Sequence, residues 1–257
     1  MKDVGLVDQF HALRHALSLA LSQALRPSHG VRREAPAGQL QGLDDAEARR
    51  IGRLRAAWGV DFAATLASVT ARNSYAYLGA LDEAARRWAC DFPAGAVVVD
   101  LGSANFWYAQ ALQAFFKPSR LVGVELDGYR RYRDGHSRID YAAGYVAEVP
   151  GAEYLVADCT ALELPSDVIT AWFPFVTPGP LLAWRLPLSA WRPAAFFAGV
   201  RRNLRPGGRF VMVNRAGEKD TAAALATAAG LSPAGGTALE LVLVEETLDV
   251  VLTLWSA

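Results

Sequence analysis

The spacing of apolar residues changes twice along this chain. Between residues 8 and 25, Phe10, Leu13, Leu17, Leu21 and Ala24 fall on one helical face, with Gln9, Arg14, Ser18 and Ser22 on the other. The stripe predicts a helix that packs on the body of the protein, or one that pairs with a second copy or another partner. Residues 27–41 hold Pro, Gly and Arg with few large apolar side chains and predict a linker. Asp44 or Asp45 can cap a helix running to Trp58, Asp61 can cap another, and residues 73–90 predict a longer one. Residues 1–93 therefore predict a helical extension that covers one edge of the domain formed by residues 94–257.

From Ala96 the period shortens to short apolar runs. Val97, Val98 and Val99 suit a strand buried on both faces. Further runs predict strands at residues 121–124, 154–157, 167–173 and 209–213, separated by helical stretches at 106–116, 129–149 and 194–204. The 129–149 stretch carries a break at Asp134-Gly135. Strands alternating with helices predict an α/β fold with a mostly parallel sheet. After a helix at 220–229, two apolar runs at 239–244 and 248–255 are separated only by Glu245-Glu246-Thr247. Three residues cannot hold a crossover helix, so these strands must pair antiparallel. One antiparallel C-terminal strand inside the sheet follows.

Composition narrows the function classes. The 257 residues contain 26 Lys plus Arg and 26 Asp plus Glu, which argues against bulk binding of nucleic acid or acidic membranes but leaves local patches open, so no membrane partner is expected. Cys90 and Cys159 are the two cysteines and form no CxxC pattern, so neither a disulfide framework nor a metal site is expected. No apolar run is long enough for a spanning helix. The apolar stretch 16–25 follows Asp3, Asp8, His11, Arg14 and His15 and lacks a small-residue cleavage site, so a signal peptide is not expected and a cytoplasmic protein is.

Ligands of open α/β sheets bind at the carboxyl ends of the strands. Asp100, Glu125 and Asp158 stand at the ends of the first three strands. Such acids repel a pyrophosphate, each contact by on the order of 1 kcal/mol or more. Phe106 and Trp107 add bulk where a dinucleotide fold needs glycine. A nicotinamide-dependent oxidoreductase is thereby disfavoured. A ligand with ribose hydroxyls, an adenine amine and a positive charge suits the acids better. Glu125 lies 23 residues after Gly102, the spacing of a ribose-binding acid.

The ordered set Val97-Val98-Val99-Asp100-Leu101-Gly102-Ser103-Ala104, Leu121-Val122-Gly123-Val124-Glu125-Leu126-Asp127, Tyr154-Leu155-Val156-Ala157-Asp158, Asp167-Val168-Ile169-Thr170 and Leu204-Arg205-Pro206-Gly207-Gly208-Arg209-Phe210 resembles the class I S-adenosylmethionine-dependent methyltransferases. The resemblance covers residues 94–255 and identifies no subfamily. It implies a Rossmann-like seven-stranded sheet and S-adenosyl-L-methionine as cofactor. It also implies methionine-end binding by the first loop (Asp100, Gly102, Ser103, Ala104), ribose on Glu125, adenine near Asp158 and Cys159, and Phe173 on the cofactor wall. The first loop departs from the family's three glycines, with Ala104 second and Phe106 third. Alanine resists positive φ, and phenylalanine there must point away from the ligand.

The other site residues each have a structural reading. Asp100 and Asp127 can cap following helices, Asp167 is a structural landmark at the start of strand four, and Cys159 reads as pocket wall rather than nucleophile. The segment 129–138, dense in Tyr and Arg, reads as a solvated helix face or as an anion-recognition surface, and His136 is a lone histidine not expected to be a base. Phe173-Pro174-Phe175 lacks the polar residue with which amino-methylating relatives position a base amine, so that acceptor is disfavoured. The apolar segment 178–193 reads as a lid or as packing. No catalytic base is identified. The expectation is a methyl transferase acting on a small molecule. A catalytically silent binding module of the same fold is the alternative.

Overall fold

The computed structural model describes the backbone from Leu6 and the side chains from Gln9 to the C-terminus. Residues 1–5, Asp3 among them, lie outside the described residues, as does the Asp8 side chain. The N-terminal region is helical: α1 (Leu6–Leu25), α2 (Asp45–Trp58) and α3 (Ser68–Trp88). Asp44 caps α2 by accepting the Glu47 N–H at 2.8 Å. Asp61 caps only a 3-10 turn, Phe62–Ala64. Ile51, Leu54, Phe62, Tyr75, Leu78 and Leu81 from this region share one buried cluster with Val98, Leu112, Leu121 and Leu252. Burial against the sheet therefore fixes α2 and α3.

The sheet is built from β1 (Val97–Leu101), β2 (Arg120–Glu125), β3 (Ala152–Val156), β4 (Ser166–Trp172), β5 (Leu204–Arg215), β6 (Ser232–Val242) and β7 (Thr247–Ser256), in the order β3-β2-β1-β4-β5-β7-β6. Strands β1 to β5 pair in parallel, and β7 runs antiparallel between β5 and β6. This is the Rossmann-like seven-stranded sheet with one antiparallel C-terminal strand. The order reverses beside β1, where β2 lies on one side and β4 on the other, and such a switch point opens a crevice at the carboxyl ends of the strands.

Helices α4 (Ala109–Phe116), α5 (Arg138–Val146), α6 (Pro178–Ala183), α7 (Pro193–Asn203) and α8 (Lys219–Ala228) complete the fold. Helices α3 and α4 cover one face of the sheet; α7 and α8 cover the other, where Phe197, Val200, Ala222 and Ala226 pack on Val99, Val122, Ile169 and Phe210. Asp167 accepts the Val97 N–H at 2.8 Å and pairs with Arg205, so it ties the start of β1 to β4 and β5.

Three expectations need correction. The helix at 129–149 is confined to residues 138–146, because 127–137 forms compact turns closed by an Arg131–Ser137 bridge. At Gly128 a Cβ would lie 2.4 Å from the Val156 side chain, so the chain presses onto β3 where a helix could not. Asp127 caps no helix; it pairs with Arg130 at 2.6 Å. The helix expected from Phe106 starts three residues later, because Phe106 has a φ of 59°.

Candidate functional site

The first loop follows β1 at the switch point. Gly102 takes a φ of 79°, and the Gly102 and Ser103 N–H groups donate to the Val124 carbonyl at 2.8 and 3.1 Å. Ala104 and Phe106 hold φ values of 51° and 59°, so the chain keeps a glycine-type path with neither glycine. Each such residue costs roughly 1–2 kcal/mol. The Phe106 ring is fully buried and lies over β2, where Gly123 makes room: a Cβ there would stand 2.6 Å from Phe106 Cδ1. The ring thus points away from the crevice. The Ala104 N–H donates to Glu125 Oε2 at 2.9 Å, and Tyr154 Oη–H donates to the Ala104 carbonyl.

Glu125 ends β2 almost buried. Its Oε1 accepts the Asp127 N–H at 2.9 Å and lies 3.2 Å from the buried Arg138 guanidinium. A carboxylate offers about four acceptor positions. Two are taken by the Ala104 and Asp127 N–H groups, and the Arg138 contact is an ion pair, so two positions are left for ligand hydroxyls. Arg138 also lies under the Trp184 ring, 5.4 Å from its centroid. Arg130 donates to the Trp184 and Arg185 carbonyls at 2.5 and 2.9 Å. The two arginines that the 129–138 segment turns inward therefore tie segment 178–193 to the end of β2.

Asp158 lies beyond β3. Its Oδ1 accepts the Thr160 N–H and hydroxyl at 2.9 and 2.7 Å, and its Oδ2 pairs with Arg192. Burial works against the ionised acid, but these donors hold its pKa below the ordinary value. Beside it, burial and the Asp158 charge push the Cys159 thiol up to about 12, which keeps it protonated at neutral pH.

These elements enclose a cavity of about 540 Å³. Gly102, Ala104, Glu125, Asp158, Cys159 and Phe173 all border it. Asp100 and Ser103 do not: both are fully buried outside its wall. Side chains alternate along a strand, so Asp100 shares the Val98 face and points under α3. There its oxygens accept the Thr170 hydroxyl at 2.5 Å and the Tyr108 hydroxyl at 2.6 Å. Burial pushes its pKa up to about 7 against those two hydrogen bonds, with the Glu125 charge adding to the rise. Asp100 is a buried support for the loop rather than a wall residue.

The far end of the cavity is aromatic. Tyr77 from α3 stacks on Trp172 with centroids 3.8 Å apart, and Trp107 meets Tyr77 edge-on at 4.8 Å. Phe173 and Phe175 continue this wall, and Phe173 holds a φ of 57°. Arg215 and Glu246, 3.7 Å apart, stand at the rim with Glu218, which accepts the Thr177 hydroxyl at 2.8 Å. His136 lies apart from the cavity, 3.3 Å from Asp134. Arg192 and Tyr77 were not visible as site residues in the sequence, whereas Arg138 belongs to the segment 129–138 with its anion-recognition alternative. A buried acid at Glu125 demands a cation, and that demand was a second signal for Arg138.

No family model and no curated protein matches this sequence. Solved structures with a similar course of the chain include a SAM-dependent methyltransferase from Aquifex aeolicus, 14% identical, with a TM-score of 0.49 over 68% of this chain and 88% of that one. A TehB-like SAM-dependent methyltransferase from Corynebacterium glutamicum is 20% identical, with a TM-score of 0.45 over 82% and 96%. An S-adenosylmethionine-dependent methyltransferase from Mesorhizobium loti is 18% identical, with a TM-score of 0.44 over 68% and 99%. Among the described residues, no helix is long and apolar enough to cross a membrane.

Proposed function

We propose that this chain binds S-adenosyl-L-methionine in the crevice at the switch point and transfers its methyl group to a small, flat or apolar acceptor. The observation that carries this reading is the backbone around one cavity. Ala104, Phe106 and Phe173 are all held at positive φ, and two of the three border the cavity. Strain of this kind persists where the surrounding structure imposes it, and it clusters at ligand sites. At Ala104 it aims the N–H at the Glu125 carboxylate.

The residues present fit the group. A volume of about 540 Å³ lies within the range of small-molecule sites, roughly 300–1,000 Å³. The backbone of Gly102 and Ala104 would border the methionine end. The remaining acceptor positions of Glu125 would take the ribose hydroxyls, and Asp158 with Cys159 would flank the base. When bound, S-adenosylmethionine supplies an electrophilic methyl group on a sulfonium.

The chain's own contribution is placement and exclusion of water. Segment 178–193 covers the crevice with Leu181, Trp184 and Leu186, held by Arg130, Arg138 and Arg192. The aromatic end orients the acceptor by its faces. No histidine borders the cavity among the described residues, Cys159 stays a thiol, and burial raises the Tyr77 and Tyr108 hydroxyls well above their ordinary range. This favours an acceptor that brings its own nucleophilic atom, with rate gained from positioning.

The Arg192–Asp158 pair and the ties on Glu125 favour a second reading, a binding module of this fold without turnover. Conversion of S-adenosylmethionine to its demethylated product in the presence of an acceptor separates the two, and Glu125→Ala tests the binding site itself. In the first reading this variant lowers S-adenosylmethionine affinity at least tenfold in calorimetric titration while the chain stays folded. Unchanged affinity removes the ribose assignment.

A further inference from the structure

We infer that α1 is a docking helix for an anionic lipid surface. The helix is mounted with its large side chains outward. Phe10, Leu13, Leu17, Leu21 and Leu25 are 68%, 71%, 63%, 52% and 76% exposed. The side that meets the protein is made of Ala12, His15, Ala16, Leu19 and Ser22, which are buried or half-buried. That side rests on α6 and on the 3-10 turn at residues 188–190, the elements that cover the cavity. From Phe10 to Leu25 the outward stripe runs about 22 Å at 1.5 Å per residue. Val31, in the segment after the helix, is 59% exposed as well. Contiguous apolar surface of this kind marks an interaction site.

Charge selects the occupant. Residues 9–33 contain Arg14, Arg26, Arg32 and Arg33 and three histidines, and the acids stand only at the borders of this stretch, Asp8 in the first turn of α1 and Glu34. The chain as a whole is neutral, so this segment holds a local basic excess that the rest balances. Arg32 and Arg33 pair with Asp134 and Glu148 on the body, while Arg14 and Arg26 are exposed on the helix and at its end. A helix with an apolar stripe and basic flanks matches a membrane interface, where side chains enter the acyl boundary and arginines meet anionic headgroups. A second copy fits less well. A stable dimer draws about 20–30 residues from each partner, whereas this stripe offers one row of five, and the facing flanks would carry like charge. Docking by this row would set the covered mouth of the cavity beside lipid, in keeping with an apolar acceptor, although the inference does not depend on the proposed reaction.

The test is co-sedimentation of the full chain with vesicles of phosphatidylcholine alone and of phosphatidylcholine with phosphatidylserine, at low and high salt. The expected result is binding to the phosphatidylserine vesicles about tenfold stronger than to the neutral ones, weakened by salt. Leu17→Glu should lower that binding at least tenfold, and Arg14→Glu should lower it less. Both positions are exposed, so thermal unfolding should match the parent chain. Leu13→Ser serves as a second apolar variant if Leu17→Glu does not fold. Equal sedimentation with both vesicle types overturns the inference, as does binding that survives Leu17→Glu. It is also overturned if the chain ignores vesicles and forms a dimer that Leu17→Glu dissolves, or binds neither.

Discussion

Gly123→Ala offers the sharpest probe of how the first loop is held. Gly123 stands mid-strand in β2, opposite Asp100 of β1 and Tyr154 of β3. A Cβ there would lie 2.6, 2.8 and 2.9 Å from Cδ1, Cγ and Cε1 of Phe106. The ring has no free space to retreat into, being fully buried and edge-on to Tyr108 at 5.7 Å. The backbone beneath it is already at positive φ. Overpacking of this kind costs about 1–3 kcal/mol. Phe106→Gly alone suits the local φ but empties a core site, at a cost of about 3–5 kcal/mol by analogy with Phe→Ala. In the double variant the clash is gone, so the two costs should not add, and the coupling should be at least about 1 kcal/mol in favour of the pair. Urea unfolding followed by tryptophan fluorescence measures all three. Additive losses, or a Gly123→Ala variant as stable as the parent, would refute the claim that ring and strand fit each other.

Other outcomes follow from the same geometry. Ala104→Gly relieves a left-handed alanine and should stabilise the chain by about 0.5–1 kcal/mol, the relief of strain exceeding the added chain entropy; a lower unfolding temperature would contradict the strained loop. Asp100 titrates near 7 when folded and at its ordinary 3.8 when unfolded, so the folded state keeps a proton that the unfolded state has lost. The stability this confers is complete below pH 4, declines as pH rises to about 7 and then levels, on the order of a few kcal/mol in all. Asp127, raised by burial, slopes the same way, so Asp100→Asn should flatten most but not all of the decline in unfolding midpoints. In acid the sign reverses through Asp140. Burial opposes its ionisation, but Ser28, the Ser137 N–H and the His29 N–H hold its pKa down to about 2. Stability from that acid is present above pH 4 and lost as pH falls toward 2.

What was legible in the sequence divides along physical lines. The three valines of β1 and the short Glu245-Glu246-Thr247 connection constrain the backbone locally, and the parallel sheet with its antiparallel β7 follows from them. Glu125, Asp158, Cys159, Gly102, Ala104 and Phe173 meet at one cavity because strand ends meet at one rim. Asp100 was legible as a strand-end acid, yet its face was set by alternation from Val98, which turns it beneath α3. Residues 127–137 carried a helical density of Tyr and Arg. Their path is set instead by the Arg130–Asp127 pair, by the hydrogen bonds of Arg130 to the distant Trp184 and Arg185 carbonyls and by the contact of Gly128 with Val156, and local propensity registers none of these. The apolar stripe of α1 was equally plain, but which side would face the protein depends on how α6 and the following turn present themselves.

The account stands or falls on the cavity's ligand, and isothermal titration of the full chain with S-adenosylmethionine and with its demethylated product addresses it directly. It predicts saturable one-to-one binding of both, abolished or strongly weakened by Glu125→Ala. Absence of heat and of any thermal stabilisation at millimolar concentration of either ligand would contradict it.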